Sequence, residues 1–477
     1  MSIVKKLAGD TAIYGIPSIV GRSINFLLIF FFAKYFTPDF LAPHVEFYAY
    51  AAFIFVVLPH GMETAFFNFA RKKEAYKDVF ATGLLSVFII VVVFVIMILS
   101  AQQEVAEFVG HPDQARYVLW FVFIMFFDVL KSLPYALLRY LNLAKNFAGI
   151  KSIGIVLNVI LNVFFIVYYP DISGAERSVE YIFIVNLVAS GIEFLLLAPL
   201  VYKHIGTPKL DLWKSMFKYA WPLVILGFAG MINETFDRIA LRKLLPVQSA
   251  DYEIGVYGVF YKLSMLMTIF IQAFRYAAEP LFFSHADKSD AKKSYIQIMN
   301  WFVYACGAIF LVVSLFKTEI AELFIRNPEY HEHPDALTIV PILLLANLFL
   351  GVFFNLSIWY KLNNKTKLGA LVSIVGATCT VVLLLVYVPI YGFKAAAIIT
   401  LIAYFIMTVL SYLLGQKYYP VNYNIKVVLT LVLLSVALYM ASEYDGLTSW
   451  TAYGINILYI GIYGLVGYKL MISTRKT

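Results

Sequence analysis

The stretch GMINETFDRIALRKLLP, residues 230–246, sets Glu234, Asp237, Arg238, Arg242 and Lys243 at the end of an otherwise apolar run, WPLVILGFAGMI. A charge at the centre of a bilayer costs about 2.5–3.5 kcal/mol on insertion scales, so such residues face water, a ligand or one another. Other charges sit inside long apolar runs: Arg22, Lys131, Lys262 and Arg275, and the carboxylates Glu46, Glu63, Asp128 and Glu279. A guanidinium stays charged when desolvated and can grip phosphate oxygens bidentately. Arg22 and Arg275 fall near the middle of their runs and therefore point to an anionic substrate group, with Arg238, Lys262 and Lys131 as further cationic contacts. Glu46, Glu63, Glu234, Asp237, Glu279 and Asp128 could carry protons or cations, or balance the arginines; spacing leaves these roles open. Arg275 with Glu279 and Glu234 with Arg238 are four residues apart, and Asp128 with Lys131 three, so each pair shares a helix face. Arg22 has no carboxylate within four residues and needs a partner on another helix or an anionic ligand.

Other chemistries lack their signatures. There is no GK[ST] glycine loop for nucleotide phosphates and no HExxH, CxxC or His/Asp cluster with metal spacing, so neither a metal nor a cofactor is expected. His331 and His333 read as residues of an exposed loop. HPD at 111–113 reads as a turn with proline at the start of a helix rather than as a reactive centre.

The elements that must position these charges are membrane spans. Of 477 residues, 62% are hydrophobic and 14% charged, against about 45–50% apolar residues in a soluble domain. Apolar stretches long enough to cross a hydrocarbon core of about 30 Å recur throughout. About fourteen are expected, near 12–33, 46–70, 79–100, 116–138, 150–169, 180–201, 218–238, 255–284, 295–316, 336–359, 368–388, 394–414, 426–442 and 450–471. Lysines and arginines gather in alternate loops, for example around Lys72, Lys145, Lys209, Lys292, Lys365 and Arg475, which places both termini in the cytoplasm. That asymmetry also accounts for the net charge of +8, and no basic domain is present to hold a nucleic acid. Cys306 and Cys379 lie inside expected spans, so no disulfide is expected. The first span reads as uncleaved, because it lacks a short apolar core followed by a small-residue cleavage site. Loops are short and leave no room for a catalytic domain, so the chain is not expected to be an enzyme.

The sequence also repeats. YGIP (14–17) answers YAWP (219–222), ETAFFNFA (63–70) answers EPLFFSHA (279–286), HPD (111–113) recurs at 333–335, and Tyr140, Lys145 and Gly149 answer Tyr360, Lys365 and Gly369. The shifts of 205, 216, 222 and 220 residues each correspond to six spans. An even shift makes the halves parallel repeats. The expected fold is an all-α polytopic membrane protein: an N-terminal lobe at 1–205, a C-terminal lobe at 206–418 and two extra helices at 419–477. Charges gather on spans one, two, seven and eight, which are expected to line a cavity between the lobes. Spans three, five, six, nine and eleven to fourteen carry almost none and are expected to face lipid. One chain supplies both lobes, so a monomer suffices.

The stretches KKLAGDTAIYGIPSIVGRSINFLL, GMETAFFNFARK, MINETFDRIALRKLLP and YKLSMLMTIFIQAFRYAAEPLFF, with fourteen spans in parallel halves, resemble the Wzx-type oligosaccharide flippases of bacterial polysaccharide biosynthesis. That superfamily also holds the multidrug and toxin exporters (MATE) and the lipid II flippases. The resemblance implies a MATE-like fold in the bacterial cytoplasmic (inner) membrane. It further implies transfer of a polyprenyl-diphosphate-linked oligosaccharide to the outer leaflet by alternating access, for lipopolysaccharide O-antigen or a similar surface glycan. The partners it implies are the polyprenyl-linked glycan, membrane lipids and a coupling ion, H+ or Na+. Lipid II flippases are similar in carrying cavity arginines on the first, second and eighth helices. Here Arg22 and Arg275 stand on the first and eighth, while the second carries glutamates instead. An ion-coupled exporter of small molecules on the same fold is the alternative.

Overall fold

The computed structural model describes residues 20–21, 23–70, 76–285, 291–363, 365–445 and 450–473. The described residues are almost wholly helical, with no strand. Twelve helical stretches are long and apolar enough to cross a membrane, and Ser23–Tyr35, α1, is a shorter apolar helix. One of the twelve runs 53 residues and turns at Gly392. Divided there and joined by α1, the set makes the expected fourteen.

Cα packing divides the chain into two compact units, Met1–Gly255 and Val256–Thr477. In the first, α2 (Pro38–Val57) and α3 (Met62–Phe69) form one span, followed by α4 (Tyr76–Ser100) and the short α5 (Gln102–Val109). The next span is α6 (Ala115–Leu130) with α7 (Ser132–Tyr140); then come α8 (Ala144–Val163), its one-turn extension α9 (Tyr169–Ser173), α10 (Glu180–His204) and α11 (Leu210–Leu244). α10 packs on α6 and α8, while α11 packs on α2, α3 and α4. α12 (Val247–His285) begins in the first unit and continues into the second. There α13 (Ala291–Leu315), α14 (Lys317–Phe324), α15 (Ile339–Leu356), α16 (Ile358–Leu362), α17 (Thr366–Tyr418), α18 (Ile425–Asp445) and α19 (Trp450–Ser473) follow. α15 packs on α17 and α13, and α13 also on α18 and α19.

Three breaks inside spans have local causes. His60 and Gly61 take positive φ (35° and 72°), and a side chain on Gly61 would lie 2.9 Å from the carbonyl of Ala220 on α11, so only glycine fits that turn. Pro134 cannot donate to the carbonyl of Leu130 and crowds it, which breaks the fourth span at Lys131. In α17 the conformation of Gly392 (φ 57°, ψ −147°) is one reserved for glycine. The series of long helix, short helix, 3₁₀ turn and interrupted span occurs twice, as α4–α7 and as α13–α16. It gives the sequence repeat a structural counterpart.

Candidate functional site

Glu46 on α2 is fully buried, and Arg242 near the end of α11 grips it with two bonds, Nε to Oε1 at 2.5 Å and Nη2 to Oε2 at 2.7 Å. His111 Nε2 lies 2.5 Å from Glu46 Oε2, and Arg242 Nη2 also donates to Asp251 at the start of α12. Gly110 makes this approach feasible: its φ is 99°, and a side chain there would lie 2.6 Å from Arg242 Cδ. Lys243 donates to the carbonyl of Phe108 and stands over its ring, 4.2 Å from the centroid. Glu46, His111 and Asp251 offer ligand atoms within 4.8 Å of one another, a donor set that suits a metal. Arg242 already engages both carboxylates and supplies the positive charge there. The seventh span, expected at 218–238, runs on as α11 to Leu244 and so includes Arg242 and Lys243. HPD does open a helical turn with proline at its start, and its histidine also joins the cluster.

A second polar cluster threads α6, α7, α8 and α10. Lys131 binds Asp128 at 2.6 Å, as the spacing predicts, and also Glu193 at 3.0 Å. The hydroxyl of Tyr135 donates to the same Glu193 oxygen at 3.0 Å, and Lys151 lies 3.7 Å from it. Ser190 donates to Asp128 at 2.5 Å. One turn before Ser190, Asn186 accepts from Asn158 (2.6 Å) and donates to Tyr48 of α2 (2.5 Å). Asn186, Ser190 and Glu193 fall at i, i+4 and i+7, one stripe of α10. Glu193 is only 7% exposed. The sixth span was expected to carry almost no charge and to face lipid; this buried residue corrects that. Its signal was a lone carboxylate inside an apolar run. The carboxylate fits because α8 has glycine opposite, where a Cβ on Gly154 would lie 1.8 Å from Glu193 Oε1.

The remaining expected residues divide. Arg238 is buried and paired with Asp237 Oδ1 at 3.0 Å; its bond toward Glu234, at 2.7 Å, reaches the backbone carbonyl, while the side chain of Glu234 is exposed. Glu63 pairs with Arg139 at 2.6 Å, and both are partly exposed. Lys262 is half-buried on α12. Arg22 and the side chain of Glu279 lie outside the described residues. Arg275 lies on α12 with its guanidinium over the ring of Phe354, 4.1 Å from the centroid, in an open groove that also holds Lys361. The cysteines Cys306 and Cys379 are free.

Fold and charge clusters together describe an all-helical, multi-pass membrane protein. The MatE family model matches residues 247–388. Among solved structures, the chain is similar to the lipid II flippase MurJ in an inward closed conformation, with 16% identity over 96% of this chain and 99% of that one and a TM-score of 0.78. It is also similar to an inward-facing multidrug resistance MATE transporter of the MOP superfamily (14% identity, 85% and 94% covered, TM-score 0.67). A third is the Vibrio cholerae MATE transporter VcmN in its bent form (15%, 87% and 97%, TM-score 0.54). No curated protein matches the chain. The fold is therefore the one these flippase and exporter structures share.

Proposed function

We propose that this chain is a flippase of the multidrug/oligosaccharidyl-lipid/polysaccharide exporter superfamily. It moves a polyprenyl-diphosphate-linked oligosaccharide across the cytoplasmic membrane by alternating access and makes or breaks no covalent bond. The observation that carries this reading is the likeness to the lipid II flippase, which extends over 96% of the chain where the MATE transporters cover 85–87%. Arg275, stacked in an open groove, and Arg22 are the contacts for the diphosphate. The Asp128–Lys131–Glu193 cluster is the place for a coupling proton or cation, because a buried carboxylate (Glu193) and a partly buried one (Asp128) share one lysine. Both termini are cytoplasmic, and one chain suffices.

Depleting the gene in its native bacterium tests this directly. Surface glycan should fall while diphosphate-linked glycolipid accumulates in the cytoplasmic leaflet. Unchanged glycan with new sensitivity to toxic organic cations would instead establish the exporter reading, which the MatE match at 247–388 favours.

A further inference from the structure

The polar cluster on α6, α7, α8 and α10 is built around one nitrogen. Lys131 Nζ lies 2.6 Å from Asp128 Oδ1 and 3.0 Å from Glu193 Oε2, so a single ammonium bridges carboxylates on α6 and α10. The oxygens around it are already engaged: Asp128 Oδ1 also accepts from Ser190 at 2.5 Å, and Glu193 Oε2 also accepts from Tyr135 at 3.0 Å. Two further titratable groups meet the cluster among the described residues. Lys151 of α8 stands 3.7 Å from the same Glu193 oxygen and 4.8 Å from the centroid of the Tyr135 ring, and Tyr48 of α2 lies close enough to feel the charge of Asp128. The two lysines thus offset the two carboxylates. Lys131 also stands at the break between α6 and α7, so its two ion pairs tie the broken span to α10.

A cation joining this set needs oxygens and a place. A hard metal ion gathers about six oxygens around itself. Here the ammonium of Lys131 already stands between the carboxylates, and the hydroxyls of Ser190 and Tyr135 point their hydrogens at the same two oxygens. A metal ion could enter only by expelling Lys131, whose side chain is 7% exposed, and so would leave a buried ammonium without its partners. A proton needs neither a shell nor a vacancy. Exposure selects where it arrives: the side chain of Asp128 is 26% exposed and that of Glu193 only 9%. A proton on Asp128 cancels its charge and leaves the ammonium with Glu193, so one of the two ties across the break is undone.

We infer that Lys131 is the resident cation of the coupling site: its ammonium holds the position a sodium ion would take, and the ion that works the site is a proton taken up at Asp128. The inference deepens the coupling role proposed above and rests on it. Melting of the full-length protein in detergent tests the resident cation. At constant ionic strength the wild type should melt at one temperature in sodium, potassium or choline chloride. Lys131→Ala empties the position; it should melt lower in choline chloride and recover by a few degrees in sodium or methylammonium chloride, as a ligand bound only to the folded state causes. A wild type stabilised specifically by sodium, or a folded Lys131→Ala that no small cation stabilises, would overturn the inference. Proteoliposomes carrying a fluorescent short-chain prenyl diphosphate bearing N-acetylglucosamine test the proton without relying on that variant's folding. A pH gradient should speed flipping of this probe several-fold, a sodium gradient should not, and Asp128→Asn should lose the acceleration. Flipping driven by sodium and not by pH would overturn the proton. No flipping under any gradient would sink the flippase reading, while the melting series would still decide whether Lys131 is the resident cation.

Discussion

Glu46 and Arg242 are 196 residues apart, and their bidentate bond is buried. A carboxylate at 0% exposure left without its guanidinium costs about 3–5 kcal/mol, more than a surface pair could. Arg242→Ala should therefore lower the unfolding temperature in detergent sharply, and Arg242→Met combined with Glu46→Leu should recover part of the loss. Equal melting of the single and double variants would mean that the pair is not coupled. Arg275 belongs to a different class, since its described neighbour is an aromatic ring rather than a carboxylate. Arg275→Ala should leave folding and membrane insertion intact while reducing surface glycan about tenfold or more in a complementation assay, the loss expected from one charge-assisted contact.

At the level of elements, glycines decide how closely helices approach the polar clusters. A Cβ on Gly154 would fall 1.8 Å from Glu193 Oε1, so Gly154→Ala must displace the carboxylate that Lys131 and Tyr135 hold. Its cost should be about 1–3 kcal/mol. It should shrink when Glu193 is already alanine, a non-additivity that a double-mutant cycle reads directly. Gly392 poses a purely local requirement: at φ 57° and ψ −147° any other residue is strained, so Gly392→Ala should destabilise by about 1–3 kcal/mol without touching a charge. A normal melting temperature for that variant would show that the turn between the eleventh and twelfth spans can relax.

For the molecule as a whole, the charge asymmetry of the loops makes a topological prediction. Glu176 and Thr207 are both exposed in loops on either side of α10. In intact cells a membrane-impermeant thiol reagent should label Glu176→Cys and spare Thr207→Cys, because the positive-inside rule assigns the lysines around 203–218 to the cytoplasmic side. Reversed labelling would invert the orientation and with it the proposed direction of transfer. The number of spans was legible in the sequence because a run of about 20 apolar residues has a single stable fate in hydrocarbon, a helix with all its backbone bonds internal. The i, i+3 pair Asp128 and Lys131 was legible for the same local reason. The partners of the other charges were not. Glu193 reaches Lys131 across 62 residues and His111 reaches Glu46 across 65, contacts that no periodicity encodes. Hydropathy is a property of each segment and survives in the sequence as it stands. Which buried charge meets which depends on helix rotation and on a few glycine and proline breaks, and only the packed tertiary structure decides it.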